Sequence, residues 1–190
     1  MQIHDMNIPG VKLIIPTRHG DNRGFFAETW NQRAMAAHGI DTDFVQDNHS
    51  LSAEAGTVRG LHFQAPPHAQ AKLVRCGRGR LFDVAVDVRR GSPTFGRWTG
   101  AELSYENGWQ LLIPAGFLHG FVTREPDTEI VYKCSTFYAP DHEGAVRWND
   151  PQIGIDWGIS PEDAILSRRD AEAVPLSDFW SPFEIEEKAA

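Results

Sequence analysis

The chain has 190 residues, 41% of them hydrophobic, and a formal net charge of −8 at pH 7. This length favours one domain with a buried core, which we place over residues 1–190. The acidic balance argues against a nucleic-acid partner, because phosphate binding requires a basic face. No signal-peptide pattern and no apolar run of roughly 20 residues is present, so we expect no membrane partner. Cys76 and Cys134 lie in strand-like runs and are expected to be free buried thiols, which fits the cytoplasm.

The first quarter of the chain predicts two strands and one helix. Residues 11–16 and 25–30 are apolar runs typical of strands, and the segment 19–24 between them is rich in turn-forming residues. Asn31 can cap a short helix over residues 32–38, with Gly39 just after its end. This is the only helix that we predict in the first three quarters of the chain.

Strand-like runs then recur at short, regular spacing. They cover residues 44–49, 58–63, 72–75, 80–88, 98–103, 109–113, 120–123 and 128–137. In the segment 80–88 apolar residues alternate with aspartates, which is typical of a strand. Beyond residue 138 the pattern weakens into a tail with a short helix near 161–164. The sequence therefore predicts an all-β fold, a jelly-roll barrel of the cupin type with a short N-terminal helix and a partly helical C-terminal tail.

The segment 58–75, VRGLHFQAPPHAQAKLVR, is predicted as strand, loop and strand, because its two prolines cannot continue a central strand. His62 and Lys72 fall on adjacent strands and can point into one cavity. A histidine that takes a proton near neutral pH, beside an ammonium that holds an oxyanion, can remove a proton next to a carbonyl. At this point an ordinary strand pair with polar residues remains an equal alternative.

Side chains that face a barrel interior recur with a period of two residues. Tyr132 and Tyr138 share this parity, so both aromatic rings can face inward. Arg59 has the opposite parity to His62. Both can line the same pocket only if Gly60 allows a bulge or a local twist.

Metal binding is a separate possibility for a barrel of this type, which usually holds a metal with a His-x-His pair and a Glu. Here His62 is followed by Gln64 in place of the second histidine, and His68 lies in a proline-rich loop with poor geometry. We therefore expect no metal and no other cofactor. His119 also lies in an apolar context, where a hydrogen-bonded core histidine is more common than a catalytic one.

Several short motifs occur in order along the chain. They are GDNRGFF at 20–26, FVQDNHS at 44–50, RGLHFQ at 59–64, KLVRC at 72–76, FDVAVD at 82–87, SPTFG at 92–96, IP at 113–114, HGF at 119–121 and YK at 132–133. With these motifs the chain resembles the dTDP-4-dehydrorhamnose 3,5-epimerases along nearly its whole length. The resemblance implies an isomerase that converts dTDP-4-dehydro-6-deoxy-D-glucose to dTDP-4-dehydro-L-rhamnose, in dTDP-L-rhamnose biosynthesis.

The resemblance also implies roles for four catalytic residues. His62 is expected to remove the protons at C3 and C5, and Asp170 to orient its imidazole. Lys72 is expected to hold the enolate oxygen, a contribution of roughly 3 kcal/mol per donor in other enzymes. Tyr132 is expected to return a proton from the opposite face, which turns exchange into inversion.

The expected substrate contacts come from the same resemblance. Arg23, Arg59 and Arg169 are candidates for the diphosphate because guanidinium matches phosphate oxygens, although the family often has Lys where this chain has Arg169. Tyr138 is expected to stack on the thymine. The remaining contacts are Glu28, Gln46, Asp47, Asn48, His119 and Glu143. Family members are usually homodimers with a crossing N-terminal strand, which would place Arg23 or Phe26 near the partner's pocket.

Three other functions remain as alternatives. One is a single-position epimerase, acting at C3 or C5 of a related dTDP-4-keto sugar, which shares the same catalytic set. Another is a metal-dependent cupin oxygenase or isomerase, against which Gln64 argues. The third is a sugar-nucleotide-binding cupin without catalysis, which the joint presence of His62, Lys72, Tyr132 and Asp170 disfavours.

Overall fold

The computed structural model describes residues 1–185, so the last five residues of the predicted domain lie outside the described residues. The strands are β1 (Gln2–Asp5), β2 (Lys12–Ile15), β3 (Arg18–Asp21), β4 (Gly24–Ala27), β5 (Gln46–Ser52), β6 (Val58–Gln64), β7 (Lys72–Arg78), β8 (Arg80–Asp87), β9 (Trp98–Ser104), β10 (Gln110–Ile113), β11 (Phe117–Thr123), β12 (Thr128–Cys134) and β13 (Glu143–Ala145). The helices are α1 (Gln32–Ala36) and α2 (Arg168–Ala171), with short 3-10 helices at Pro140–His142, Pro161–Asp163 and Leu176–Asp178. The predicted all-β fold is confirmed. Across the described part of the chain, no helix has the length and apolar character needed to cross a membrane.

Two antiparallel sheets form the body of the protein. The large sheet has the order β1-β2-β10-β7-β12-β5, the small sheet has the order β13-β6-β11-β8-β9, and β3 and β4 pair in a separate hairpin. Apolar side chains from both sheets meet in one core, with Val74, Leu111 and Ile130 from the large sheet and Leu81 and Phe117 from the small one. A double-sheet arrangement of this kind is the jelly roll expected from the sequence.

In β8, the alternation of apolar residues with aspartates does not separate a buried face from an exposed face. Val84, Val86 and Val88 are buried against Trp148 and Trp157, which belong to the C-terminal part of the chain. The opposite side chains of β8 face the space between the sheets and are buried as well. The alternating pattern therefore separates two buried layers, because the C-terminal segment covers the outer face of the small sheet.

Local elements agree with the sequence in some places and differ in others. The helix α1 begins at the predicted position, and the side chain of its cap, Asn31, accepts a hydrogen bond from the Ala34 amide at 3.2 Å. The predicted turn over 19–24 is instead the β3–β4 hairpin, because the tight turn is confined to Asn22 and Arg23. Strands β1 and β13 and helix α2 were not predicted, since each is short and lacks a long apolar pattern.

Candidate active site

A cavity of about 430 Å³ lies between the two sheets. Strands β5, β7 and β12 of the large sheet and β6 and β11 of the small sheet form its walls, and residues 165–170 close one side. The closing segment is held to the small sheet by a backbone hydrogen bond of 2.9 Å from Val58 to Ile165. The cavity brings together all four predicted catalytic residues, which are His62, Lys72, Tyr132 and Asp170.

His62 and Asp170 form a close pair at this side of the cavity. The Nε2 atom of His62 lies 2.5 Å from Oδ1 of Asp170, which is only 2% exposed. Ser167, the N-cap of α2, donates to the second carboxylate oxygen at 2.9 Å. Burial works to raise the pKa of Asp170, but the hydrogen bond and charge of His62, together with Ser167, outweigh it and leave the pKa lowered. Asp170 is therefore a carboxylate that can fix the imidazole.

Lys72 and Tyr132 lie on neighbouring strands of the opposite wall. The Nζ atom of Lys72 is 5.9 Å from the centre of the Tyr132 ring. Burial lowers the pKa of the Lys72 ammonium and raises the pKa of the Tyr132 phenol. Tyr132 therefore keeps its proton well above neutral pH, as a proton donor must.

A second histidine–aspartate pair was not predicted from the sequence. Nε2 of His119, on β11, lies 2.8 Å from Oδ1 of Asp83, on β8. Both residues are buried, and among the described residues Oδ2 of Asp83 has no hydrogen-bond partner. Burial lowers the pKa of His119, with Asp83 acting in the opposite direction. His119 is thus a hydrogen-bonded buried residue that also lines the cavity. The sequence signal for its partner was Asp83, a charged residue within the apolar strand pattern of residues 80–88.

The predicted bulge at Gly60 is confirmed. Arg59 and His62 both line the cavity although they have opposite parity. On β6 two residues separate Arg59 from His62, whereas on β11 Gly120 alone separates their partners. Gly60 has φ +137°, and a Cβ atom there would lie 2.5 Å from the Cα of Gly120. Only glycine fits this point, where the bulge turns Arg59 towards the site.

At the mouth of the cavity, Arg169 binds Glu143 at 2.5 Å, and Glu143 also accepts a hydrogen bond of 3.0 Å from the Tyr138 hydroxyl. The hydrogen bond to Glu143 and the charge of that carboxylate raise the pKa of Tyr138. Strand β12 ends at Cys134, so the parity argument does not apply to Tyr138. Tyr138 is 55% exposed at the rim and does not face inward.

The β5 residues divide between the two faces of the large sheet. The side chains of Gln46 and Asn48 are joined by a hydrogen bond of 2.9 Å and share the parity of Ser50, which lines the cavity. Asp47 has the opposite parity, and its carboxylate binds Lys133 at 2.9 Å on the outer face. The Asp47 side chain therefore does not face the cavity, contrary to the expectation from the sequence.

Arg23 and Glu28 also lie outside this chain's own cavity. Arg23 is at the tip of the β3–β4 hairpin, where its guanidinium pairs with Asp21 at 2.5 Å and is 85% exposed. Glu28 accepts a hydrogen bond of 3.0 Å from Asn31 on the surface. Within residues 1–185, no three His, Cys, Asp or Glu side chains are grouped so that they could hold a metal ion.

The profile of the family described as dTDP-4-dehydrorhamnose 3,5-epimerase matches residues 5–178. The enzyme of that name from Sinorhizobium fredii is 50% identical over 184 residues, which are 97% of this chain and 94% of the relative.

Two solved structures are informative. A dTDP-6-deoxy-D-glucose-3,5-epimerase from Legionella pneumophila, in complex with dTDP-4-keto-L-rhamnose, superposes with a TM-score of 0.91 at 42% identity and covers 99% of each chain. A 3′-monoepimerase from Streptomyces bikiniensis, in complex with dTDP-quinovose, gives a TM-score of 0.84 at 38% identity and covers 92% of this chain and 87% of its own.

The bulge gives a stability prediction. Gly60→Ala should lower the free energy of unfolding by about 2–5 kcal/mol, since it combines backbone strain with overpacking against β11. Gly24→Ala is the matched control, because Gly24 has a similar φ of +133° but no atom within 4 Å of a new Cβ. Urea denaturation measures both. Equal losses in the two variants would contradict the close approach at Gly60.

Proposed function

The chain belongs to the dTDP-4-dehydrorhamnose 3,5-epimerase family, and from this premise we propose that it converts dTDP-4-dehydro-6-deoxy-D-glucose to dTDP-4-dehydro-L-rhamnose. The observation that carries the proposal is one cavity with His62–Asp170 on one wall and Lys72 and Tyr132 on the other. This constellation supplies a base, an acid and an oxyanion donor. All three are needed to invert a carbon next to a ketone.

The substrate's chemistry explains the need for these groups. A ketone at C4 acidifies the protons on C3 and C5, because the carbanion left by proton removal delocalises onto the oxygen as an enolate. His62 is the proposed base. Its Nε2 atom faces Asp170, so the other ring nitrogen takes the proton, and the buried carboxylate stabilises the imidazolium that forms.

Lys72 is the proposed oxyanion donor. Its partial burial in the cavity wall, which lowers the pKa of the ammonium, also reduces the water that screens its charge. An ammonium in such a site stabilises a developing enolate by roughly 3 kcal/mol, as single donors do in other enzymes. His119, held by Asp83, is a proposed substrate contact on the same side of the cavity as His62.

Tyr132 is the proposed acid. It projects from β12 of the large sheet, while His62 projects from β6 of the small sheet, so a sugar ring between the sheets has the two groups on opposite faces. Burial raises the pKa of the phenol and so keeps the donated proton in place until the enolate forms. Proton removal on one face and return on the other is inversion.

The nucleotide is proposed to bind at the rim. Arg59 and Arg169 line the cavity and can hold the diphosphate, since a guanidinium fork matches phosphate oxygens. Tyr138 presents an exposed ring to the thymine, and Glu143 connects that ring to Arg169. Gln46 and Asn48 are proposed to supply neutral hydrogen bonds from β5.

A homodimer in the cytoplasm completes the proposal. The β3–β4 hairpin exposes Phe25 (44%) and Phe26 (71%), and apolar rings this exposed usually mark an interface. If a second copy covers these rings, Arg23 and Glu28 of this chain would lie close to the cavity of that second copy. Two free buried cysteines support a reducing compartment.

A single-position epimerase is the second candidate. The likeness to the Streptomyces bikiniensis 3′-monoepimerase favours it, because that protein shares the fold at 38% identity. The higher identity to enzymes named as 3,5-epimerases favours the double reaction. A deuterium experiment separates the two.

Incubation with the 4-keto sugar in deuterated water should place deuterium at both C3 and C5, with both centres inverted, as read by NMR. Label at one centre only would support the single-position alternative.

His62→Ala should slow exchange at both carbons by about 10²–10⁴-fold, the usual contribution of a general base. His49→Ala is the control, since His49 is exposed on β5 and pairs with Glu129. Unchanged exchange in His62→Ala would contradict the base assignment.

Tyr132→Phe should separate exchange from inversion. The phenylalanine keeps the ring but cannot return a proton, so deuterium should still enter while net inversion falls by about 10²-fold or more. Tyr105→Phe serves as the control because Tyr105 is half exposed away from the cavity lining. Normal inversion at both carbons in Tyr132→Phe would rule out Tyr132 as the acid.

Chelation should leave the reaction unchanged. The position of the second histidine of a cupin metal site holds Gln64, and its amide is hydrogen-bonded to backbone groups. We expect less than stoichiometric metal by elemental analysis and an unaltered rate after dialysis against EDTA. A loss of rate that a divalent metal restores would support a metal-dependent cupin instead.

A further inference from the structure

Gln64 has no role in the proposed chemistry, yet its polar side chain is buried. It is 5% exposed at the end of β6, two residues after His62 and on the same face of the strand. A buried amide is costly unless its donors and acceptor are all satisfied. Its partners therefore indicate what it does.

Three backbone groups satisfy the Gln64 side chain. Nε2 donates to the carbonyl of His68 at 2.5 Å and to the carbonyl of Phe137 at 3.0 Å. Oε1 accepts from the amide of Ala139 at 2.9 Å. Only one orientation of the amide satisfies all three, because the reverse would oppose oxygen to carbonyls and NH₂ to an N–H. The side chain is thus fixed in one position.

These contacts surround Tyr138, since Phe137 and Ala139 are its two neighbours in the chain. The Tyr138 amide itself donates to Oε1 of Gln46 at 2.9 Å. Gln46 belongs to β5 of the large sheet, and Gln64 to β6 of the small sheet. The segment that crosses from β12 to β13 is therefore held from both sheets by two glutamines, at the residue that carries the exposed ring.

We propose that Gln64 is a positioning residue for nucleotide binding, which fixes the backbone on both sides of Tyr138 so that the ring meets the base of the substrate. The proposal rests on the proposed function, in which Tyr138 stacks on thymine. The half-exposed ring has little packing of its own, so its position depends on the backbone beneath it and on the hydrogen bond from its hydroxyl to Glu143. Prior ordering of such a group reduces the entropy lost on binding. Gln64 therefore acts on affinity for the nucleotide and not on proton transfer.

The test is a double-mutant cycle on binding of dTDP alone, measured by titration calorimetry. Gln64→Met keeps the length and shape of the side chain but removes the three hydrogen bonds. It should raise the Kd for dTDP about tenfold, within the range that base stacking contributes. In a Tyr138→Ala background the same change should raise the Kd less than about twofold, because the ring it positions is absent.

Catalysis gives a second readout. Gln64→Met should raise KM for the sugar nucleotide by a similar factor, with kcat nearly unchanged. Gln110→Met is the matched control: Gln110 is 2% exposed and donates to the Thr29 carbonyl at 2.7 Å, outside the cavity lining. It should lower Tm but leave Kd unchanged. Gln64→His keeps one donor and one acceptor, should weaken binding less than Gln64→Met, and permits the same cycle if Gln64→Met does not fold.

The outcomes separate this inference from the proposed function. If Gln64→Met weakens dTDP binding equally with and without the Tyr138 ring, or not at all, the positioning role is wrong while the stacking role stands. If Tyr138→Ala itself leaves the Kd for dTDP unchanged, the proposed stacking fails and the positioning role fails with it. A large effect of Gln64→Met that disappears in Tyr138→Ala supports the proposal.

Discussion

The hydrogen bond between His62 and Asp170 joins two parts of the chain that are 108 residues apart. A carboxylate that is 2% exposed is tolerated only when it is paired and hydrogen-bonded, so Asp170 requires both His62 and the Ser167 hydroxyl. Because of this pairing, the C-terminal segment lies across β6 and closes one side of the cavity. The same contact therefore fixes the last part of the fold and the orientation of the imidazole.

Closure of the cavity also sets the electrostatics of its opposite wall. Burial disfavours the charged form of any group, so it lowers the pKa of Lys72 and raises the pKa of Tyr132 through a single cause. The two shifts serve different purposes in the proposed reaction. A phenol that holds its proton can act as an acid, and an ammonium that is partly shielded from water interacts more strongly with an enolate than a fully hydrated one.

The sequence predicts the parts of the molecule that follow from local patterns. Alternation gives most of the strands, Asn31 gives the helix start, and the parity conflict between Arg59 and His62 gives the bulge at Gly60. What it does not predict depends on long-range contacts. The Asp83–His119 pair follows from strand register, which a single chain pattern does not encode. The outward direction of Asp47, by contrast, follows from alternation along β5, a signal that is present in the sequence. The buried outer face of β8 follows from the covering tail.

Strand β6 shows how a residue change redirects a site without changing the fold. In a metal-binding cupin, side chains two apart on one strand face converge on the ion. Here the same spacing places His62 in the cavity and Gln64 below the crossing segment, where an amide can satisfy two carbonyls and one N–H. An imidazole has only two ring nitrogens and cannot make all three bonds. In this protein, the side chain at the position of a cupin metal ligand instead holds the backbone around Tyr138, and a glutamine is suited to make those hydrogen bonds.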